Sequence, residues 1–274
     1  MHSTSPHRTP PHRTPPDGTR TPAAGVGRWL RRYGPPPTTG EAKATLVCLP
    51  HAGGAPTSFR DWPALLTPAL DVIAVCYPGR QDRFDEPCIT DMAVMANEVA
   101  ATLAPLAKRA PLALFGHSMG AAVAYEAARL LHSRHGVRPA HLFVSGLVPP
   151  HRVRPGTRHL KSDAALTADL LEQGGTDALV LADEELRALV MPAVRADYQL
   201  IETYRHTGAG PLDIPITAYY GQDDARTPRS AMPDWQLHTH APTRTRSFPG
   251  GHFYLQHHRR DLTTDIRDRL LASL

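Results

Sequence analysis

The sequence predicts an α/β protein with a mostly parallel central sheet flanked by helices. From residue 44 onward, short apolar runs alternate with longer segments in which apolar residues recur every three or four positions. Strands buried on both faces are continuously apolar, and helices that pack on a sheet have one apolar face. Because the two patterns alternate, successive strands are expected to be parallel and joined by helical crossovers.

Six apolar runs predict the strands of this sheet. They cover residues 44–49, 72–77, 112–115, 141–145, 216–220 and 245–248. The helices predicted between them span residues 57–66, 91–108, 119–134 and 260–273. In the second of these helices, Met92, Met95 and Val99 follow one another at spacings of three and four, so they share one helix face.

One long segment interrupts the alternation. Nearly seventy residues separate the strand that ends near Gly146 from the strand that begins near Pro215. Helical patterns in this segment cover residues 163–172, 176–182 and 183–206. Such a connection is too long for one crossover and too structured for a loop. We therefore predict a helical cap inserted at about residues 155–210; the alternative is a small second domain unrelated to any site.

The N-terminal residues have a different composition. Residues 1–40 contain nine prolines, and the motif PHRTP at 6–10 is repeated at 11–15. Proline fixes φ and removes a backbone donor, so this composition favours an extended, disordered chain. We predict a disordered tail rich in Pro and Arg over residues 1–26 and one folded domain over residues 27–274.

Charge and composition argue against several classes of protein. Residues 1–40 hold six Arg and one Asp, and the whole chain has a net charge of +4, so the basic charge belongs to the tail. The near-neutral remainder shows no basic stripe, which argues against nucleic-acid binding. There is no apolar run of eighteen residues, no signal-peptide pattern and an odd number of cysteines. These features predict a cytoplasmic protein that does not enter a membrane.

The motif Gly116-His117-Ser118-Met119-Gly120 lies between an apolar run and a helical pattern. At such a junction, GxSxG is typical of a sharp turn, the nucleophile elbow, that exposes the serine hydroxyl. Side chains two residues on either side of the serine would collide, which explains glycine at 116 and 120. The N-terminus of the following helix offers free N–H groups and a positive dipole end to a developing oxyanion.

A serine nucleophile needs a base, and the base needs an acid that orients it. Asp224 and His252 each follow a predicted strand directly, His252 after two glycines. Both residues therefore lie at the carboxyl edge of the predicted sheet, as Ser118 does. Their order along the chain, serine then acid then histidine, is the order that this strand-to-helix elbow requires. We predict a triad of Ser118, His252 and Asp224.

Neighbouring residues compete for two of these roles. Asp223 is adjacent to Asp224, but a turn after a strand with Gly221 first and the acid fourth favours Asp224. His257 and His258 fall in the approach to the next helix and are expected to face solvent. Asp223 remains the alternative acid.

The predicted oxyanion hole uses two backbone donors. One is the N–H of Met119, directly after the nucleophile. The other is the N–H of Ala52 in the glycine-containing loop after the first strand, where His51 is expected to brace the loop through hydrogen bonds. No His, Cys or acidic cluster has the spacing of a metal site, and no phosphate-binding glycine motif occurs. We therefore expect neither a metal nor a nucleotide cofactor.

Six segments of the chain resemble the stand-alone type II thioesterases that accompany modular polyketide and nonribosomal peptide synthases. The segments are LVCLPHAGGAPTSFRDW (46–62), VIAVCYPGRQDRFDEP (72–87), LFGHSMGAAVAYE (114–126), LFVSGLVPP (142–150), ITAYYGQDD (216–224) and FPGGHFYL (248–255). They occur in the same order over most of residues 27–274. The HAGG, YPGRxxRxxEP and GGHF motifs are more specific than GxSxG.

The resemblance implies an α/β-hydrolase core and makes the insertion at about residues 155–210 a mobile helical lid. It also implies hydrolysis of acyl thioesters on the phosphopantetheine arm of acyl or peptidyl carrier proteins, with no cofactor bound by the enzyme itself. The residues that match the family's triad and oxyanion donors are Ser118, Asp224, His252, Ala52 and Met119.

Arg80 and Arg83 match family positions in the loop after the second predicted strand. Asp82, Asp85 and Glu86 lie close to them in sequence. We therefore expect both arginines to hold this loop through local ion pairs rather than to take part in catalysis.

Three other functions are compatible with the same motifs. A serine esterase would act on small oxoesters, and an acyltransferase or cyclase would pass the acyl group to a nucleophile other than water. A catalytically silent module would only bind carrier proteins, which an intact triad disfavours. The motifs do not choose among the first two, because the acyl acceptor depends on the shape of the lid and the access of water. The acyl group and the cognate synthase are not readable from the sequence, and we expect a monomer.

Overall fold

The computed structural model describes residues 27–36, 38, 41–175, 178–208 and 210–274. Its core is a seven-stranded sheet with the order β1-β3-β2-β4-β5-β6-β7. The strands are β1 (Leu30–Arg31), β2 (Ala44–Leu49), β3 (Leu70–Val75), β4 (Leu112–His117), β5 (His141–Ser145), β6 (Ile216–Gly221) and β7 (Thr243–Phe248). β1 is antiparallel to β3, and all other neighbours are parallel. The carboxyl ends of β2 to β7 therefore share one edge.

Helices cover both faces of the sheet. They are α1 (Pro63–Leu66), α2 (Met92–Leu103), α3 (Met119–His135), α4 (Asp163–Gln173), α5 (Ala178–Ala182), α6 (Glu184–Thr203) and α7 (Arg259–Ala272). The core on one face contains Met95 of α2 and Tyr125 of α3. The core on the other face contains Leu66 of α1 and Ile266 of α7. The α/β prediction is confirmed, because apolar strands buried on both faces require helices on both sides.

The ends of several elements differ from the predicted ones. The helix predicted over 57–66 is two short pieces, a 3₁₀ turn over Pro56–Phe59 and α1, each begun by a proline. α2 ends at Leu103, shortly before Pro105, because proline has no backbone N–H to continue the helical hydrogen bonds. β1 was not predicted, since two residues carry no periodicity. A 3₁₀ helix over Arg229–His238 was also missed, because its prolines resemble a turn signal.

α4, α5 and α6 lie between β5 and β6, where the three helical patterns were predicted. They share a small apolar core of their own, which includes Leu166, Leu181 and Val194. Ala52, from the loop after β2, packs against this core. The predicted tail, residues 1–26, lies outside the described residues. Within the described ranges, no helix has the length and apolar character to cross a bilayer.

Candidate active site

Ser118 lies at the turn between β4 and α3. β4 ends at His117 and α3 begins at Met119, and Ser118 between them has φ 53° and ψ −119°. A positive φ is rare for residues other than glycine and costs conformational energy. The Ser118 N–H donates to the carbonyl oxygen of Ser145 at 2.7 Å, which holds the strained residue against the end of β5. The turn places the nucleophile candidate at the carboxyl edge of the sheet.

The two glycines of the motif have a steric role. A Cβ atom at Gly116 would lie 2.1 Å from the carbonyl oxygen of Gly120. At Gly120 it would lie 2.2 Å from the carbonyl oxygen of Leu49 at the end of β2. Real Cβ atoms do not approach backbone so closely, so both positions require glycine. The tight turn and its close approach to β2 explain why the motif has this form.

His252 and Asp224 form a buried pair at the same edge. His252 follows β7, and its Nδ1 donates to Asp224 Oδ2 at 2.7 Å. The Asp224 carboxylate also accepts the backbone N–H of Arg226 on Oδ1 and the hydroxyl of Thr227 on Oδ2, each at 3.0 Å. Asp223 is exposed, so the structure pairs His252 with the fourth residue of the turn. His257 is exposed, as expected, and His258 is half-buried.

The surroundings of this pair shift both pKa values downward. Burial alone would raise the pKa of Asp224, but the hydrogen bonds from His252, Arg226 and Thr227 outweigh it. Burial lowers the pKa of His252, the hydrogen bond with Asp224 opposes this effect, and the Arg226 cation lowers it further. His252 is therefore neutral near pH 7 and able to accept a proton.

Ser118 and His252 line one cavity of about 530 Å³. Ala52 and His51, from the loop after β2, form part of its wall. Met119 is fully buried at the first position of α3, where a helix leaves its backbone N–H groups without partners in the helix. The structure thus brings all the sequence-predicted site residues to one place. Among the described residues, no three His, Cys, Asp or Glu side chains are arranged to hold a metal ion.

His51 braces the loop after β2, as expected from the sequence. Its Nε2 lies 3.1 Å from the carbonyl oxygen of Gly175, which belongs to the inserted segment. Its ring packs edge-on against Phe253 with ring centroids 4.9 Å apart. Burial lowers the pKa of His51 to about 4, so this imidazole is neutral and serves as a hydrogen-bonding wall.

The expectation for the two loop arginines is half right. Arg83 pairs with Glu86 at 2.5 Å, as expected from the sequence. Arg80 does not use the nearby acids; its guanidinium forms two hydrogen bonds with Asp197 of α6, at 2.8 and 2.9 Å. Both Arg80 and Asp197 are buried. The Arg80 side chain points inward, away from its exposed sequence neighbour Asp82, and meets a residue that is distant in sequence.

Four arginines in the cavity wall were not predicted as site residues. Arg152, Arg154 and Arg158 come from the start of the inserted segment, and Arg226 comes from the turn after β6. Arg152 is paired with Asp234 and Arg158 lies 3.5 Å from Asp169. Within the described part of the chain, Arg154 has no carboxylate partner. The sequence signal that could have indicated them is the presence of three arginines within seven residues. Only the fold shows that they line the cavity.

Comparison with known proteins identifies this architecture. Residues 44–270 match the family model described as "Thioesterase domain". Thioesterase PikA5 of Streptomyces venezuelae is 41% identical over 247 residues, which cover 90% of this chain and 87% of that protein.

Solved structures of type II thioesterases have the same fold. BorB, from the borrelidin biosynthetic cluster, superposes with a TM-score of 0.79 at 41% identity and covers 89% of this chain and 98% of its own. YbtT, from the yersiniabactin pathway, superposes with a TM-score of 0.80 at 29% identity and covers 89% and 99%. This chain therefore belongs to the thioesterase family: it is a hydrolase of thioesters with an α/β-hydrolase fold, and its relatives are type II thioesterases of polyketide and nonribosomal peptide pathways.

Proposed function

We propose that this thioesterase removes acyl groups from the phosphopantetheine arm of acyl or peptidyl carrier proteins in polyketide or nonribosomal peptide biosynthesis. Such a reaction clears stalled or wrongly primed units or releases intermediates. The observation that carries the proposal is the cavity lined both by Ser118, on a strained turn, and by His252, which is paired with the buried Asp224. The names of the relatives support the biosynthetic setting.

The residues of the cavity account for each step of the reaction. Ser118 Oγ attacks the thioester carbonyl while His252 takes the hydroxyl proton, and Asp224 stabilises the resulting imidazolium. The oxyanion of the tetrahedral intermediate accepts hydrogen bonds from the N–H groups of Ala52 and Met119. The C–S bond breaks, and His252 gives its proton to the departing pantetheine sulfur, which leaves as the thiol. His252 then activates a water molecule, which hydrolyses the acyl-serine and releases the acid. No metal or cofactor of the enzyme's own takes part.

The inserted segment fits the role of a lid over this cavity. Gln173 at the end of α4 and Tyr198 and Ile201 of α6 form part of the cavity wall. The access of a tethered substrate to Ser118 is therefore bordered by this segment. We propose that residues 155–210 control this access and exclude bulk water during the acylation step.

Substituting Arg226 with glutamine is expected to move the acid limb of the pH profile to higher pH. The Arg226 cation disfavours the imidazolium form of His252, so its removal raises the pKa of His252 and the basic form is lost at a higher pH. The measurement is kcat/KM against pH for a soluble acyl thioester. Arg229→Gln, at an exposed arginine of the same region, is the control and should leave the limb in place. A limb that stays or moves to lower pH in the Arg226 variant would contradict the assigned base.

Substituting Arg154 with alanine is expected to weaken binding of phosphate-bearing substrates. Arg154 is an exposed cation in the cavity wall without a carboxylate partner, and the phosphodiester of the arm is anionic at neutral pH. An exposed ion pair is worth up to about 1 kcal/mol, so KM should rise about two- to fivefold at low salt, with kcat retained. The same acyl group on pantetheine without the phosphate is the matched control, and its KM should not change. Equal shifts for both substrates would contradict a phosphate contact.

The proposed function is tested with acyl groups loaded onto a carrier protein. Acetyl-, propionyl- and longer acyl-phosphopantetheine forms are incubated with the enzyme and followed by intact-protein mass spectrometry. The control substrates carry the same acyl groups on an arm whose thiol is replaced by a hydroxyl. Loss of short acyl groups from the thioester arms, with slower loss from the oxoester arms, is the expected result. Faster oxoester cleavage would favour an esterase, and accumulation of an acyl-serine without release would mean that water is not the acceptor.

A further inference from the structure

Arg80 and Asp197 form a buried ion pair between the loop after β3 and the inserted segment. The pair also contacts the loop after β2, which carries a predicted oxyanion donor. Asp197, in the middle of α6, is 1% exposed and accepts two hydrogen bonds from the Arg80 guanidinium. Removing two charges from water offsets most of their mutual attraction, so a buried pair of this kind contributes little net stability. The other contacts of the pair therefore indicate its role.

Both partners of the pair also bind the loop after β2. Asp197 Oδ2 accepts the N–H of Gly53 at 2.8 Å. Arg80 Nη1 donates to the carbonyl oxygen of Gly54 at 2.8 Å. Two peptide groups that follow Ala52, one joining Ala52 to Gly53 and one joining Gly54 to Ala55, are thus held by one ion pair from outside the loop.

This arrangement determines the direction of the Ala52 N–H. The N–H of Gly54 donates to the carbonyl oxygen of His51 at 2.9 Å. The His51 carbonyl and the Ala52 N–H belong to the same peptide group, and in a planar trans peptide they point in opposite directions. Because the His51 carbonyl is turned toward Gly54, the Ala52 N–H is turned away from it. Arg80 holds Gly54, and Gly54 in turn holds the peptide that contains the donor.

The neighbouring contacts show that α6 is seated directly on this part of the chain. A Cβ atom placed on Gly79, next to Arg80, would lie 3.7 Å from the Cβ of Ala193 in α6. The hydroxyl of Tyr77 donates to the carbonyl oxygen of Pro50 at 3.3 Å, which holds the other end of the loop. α6 therefore packs directly against the segment that carries Arg80.

We propose that Asp197 and Arg80 are positioning residues that set the oxyanion hole only while α6 is seated on the core. The proposal rests on the proposed roles of Ser118 and Ala52. Movement of α6 away from the core breaks the bonds to Gly53 and Gly54 and frees the Ala52 peptide to rotate. An open lid then binds substrate without stabilising its transition state.

The test removes the whole ion pair, so that no unpaired charge is left buried. In the double variant Arg80→Leu/Asp197→Leu we expect kcat for a soluble acyl thioester to fall about 10–10²-fold, the loss expected when one donor is misplaced, with KM changed less than threefold. Affinity for a trifluoromethyl ketone, which forms an oxyanion on Ser118, should fall by a similar factor. Affinity for an unreactive thioether of the same length should not change.

A matched control is the ion pair between Arg83 and Glu86, which lies in the same loop as Arg80. Arg83→Leu/Glu86→Leu removes a second ion pair whose arginine donates to Cys76 rather than to residues 51–54. This variant should retain kcat within about twofold. Melting temperature is measured for every variant to report on the fold.

Three outcomes would overturn the proposal. They are an unchanged kcat in the folded double variant, a parallel loss of affinity for the ketone and the thioether, and an equal loss of kcat in the control pair. If the double variant does not fold, Asp197→Asn is used instead, since its side-chain oxygen still accepts one hydrogen bond. This variant must likewise lose affinity for the ketone and keep its affinity for the thioether. The rates are measured with soluble thioesters and the affinities with soluble analogues, so these results stand even if carrier-bound substrates are not hydrolysed.

Discussion

Alanine in place of Ser118 is expected to lower kcat for thioester hydrolysis about 10⁶-fold, because the nucleophile that forms the acyl-enzyme is lost. Oxyanion donors and substrate binding remain, so a small residual rate above the uncatalysed reaction should persist. The change removes one oxygen and keeps the Cβ atom, so the strained turn between β4 and α3 is preserved. The measurement is single-turnover hydrolysis of an acyl thioester, together with mass spectrometry for the covalent acyl-enzyme.

The loss of kcat in Ser118→Ala should occur without a change in folding. The Ser118→Ala protein should melt at the wild-type temperature and bind an unreactive thioether analogue with wild-type affinity. The acyl adduct seen in the wild-type enzyme should be absent. Residual hydrolysis within tenfold of the wild type would show that the acyl group does not pass through Ser118, and the mechanism proposed above would be wrong.

Asparagine in place of Asp224 is expected to lower kcat about 10⁴-fold. Both carboxylate oxygens of Asp224 accept hydrogen bonds, Oδ2 from His252 and Thr227 and Oδ1 from the Arg226 N–H. An asparagine has one acceptor oxygen, so either orientation of its amide turns an N–H₂ group against a donor. His252 then loses its orientation, its correct tautomer and the charge that stabilises the imidazolium. The measurement is kcat with a soluble acyl thioester.

The adjacent residue provides a control of the same chemistry. Asp223 is exposed and carries the same side chain one position earlier, while its backbone N–H donates to the carbonyl oxygen of Gly250. Asp223→Asn keeps that backbone bond and should retain kcat within about twofold. Comparable losses in the two variants would mean that the pair formed by His252 and Asp224 is not the acid–base unit.

Much of the candidate site could be predicted from sequence because its constraints are local. The turn at Ser118 needs glycines at fixed offsets, a buried strand before it and a helix after it, and all these features are contiguous in the chain. Asp224 and His252 were found because each follows a predicted strand within a few residues. Parallel strands end at one edge of a sheet, so residues that follow them converge without knowledge of the fold.

The contacts around the site could not be predicted in the same way. Arg80 and Asp197 are 117 positions apart, and Arg80 has three acidic residues within six positions that looked like better partners. Likewise, no sequence motif distinguishes Arg152, Arg154 and Arg158 from other arginines of the chain, and only the fold places them in the cavity wall. Partner choice among charged residues depends on which side chains become buried together.

The sequence alone determined the α/β class, the elbow at Ser118 and the strand-end positions of the acid and the base. These features depend on hydrophobic periodicity and on short-range steric limits, and residues close together in the sequence determine both. The tertiary structure alone decided that Arg80 pairs with Asp197, that this pair holds Gly53 and Gly54, and that four arginines line the cavity. Burial selects those contacts, and burial is a property of how distant segments pack.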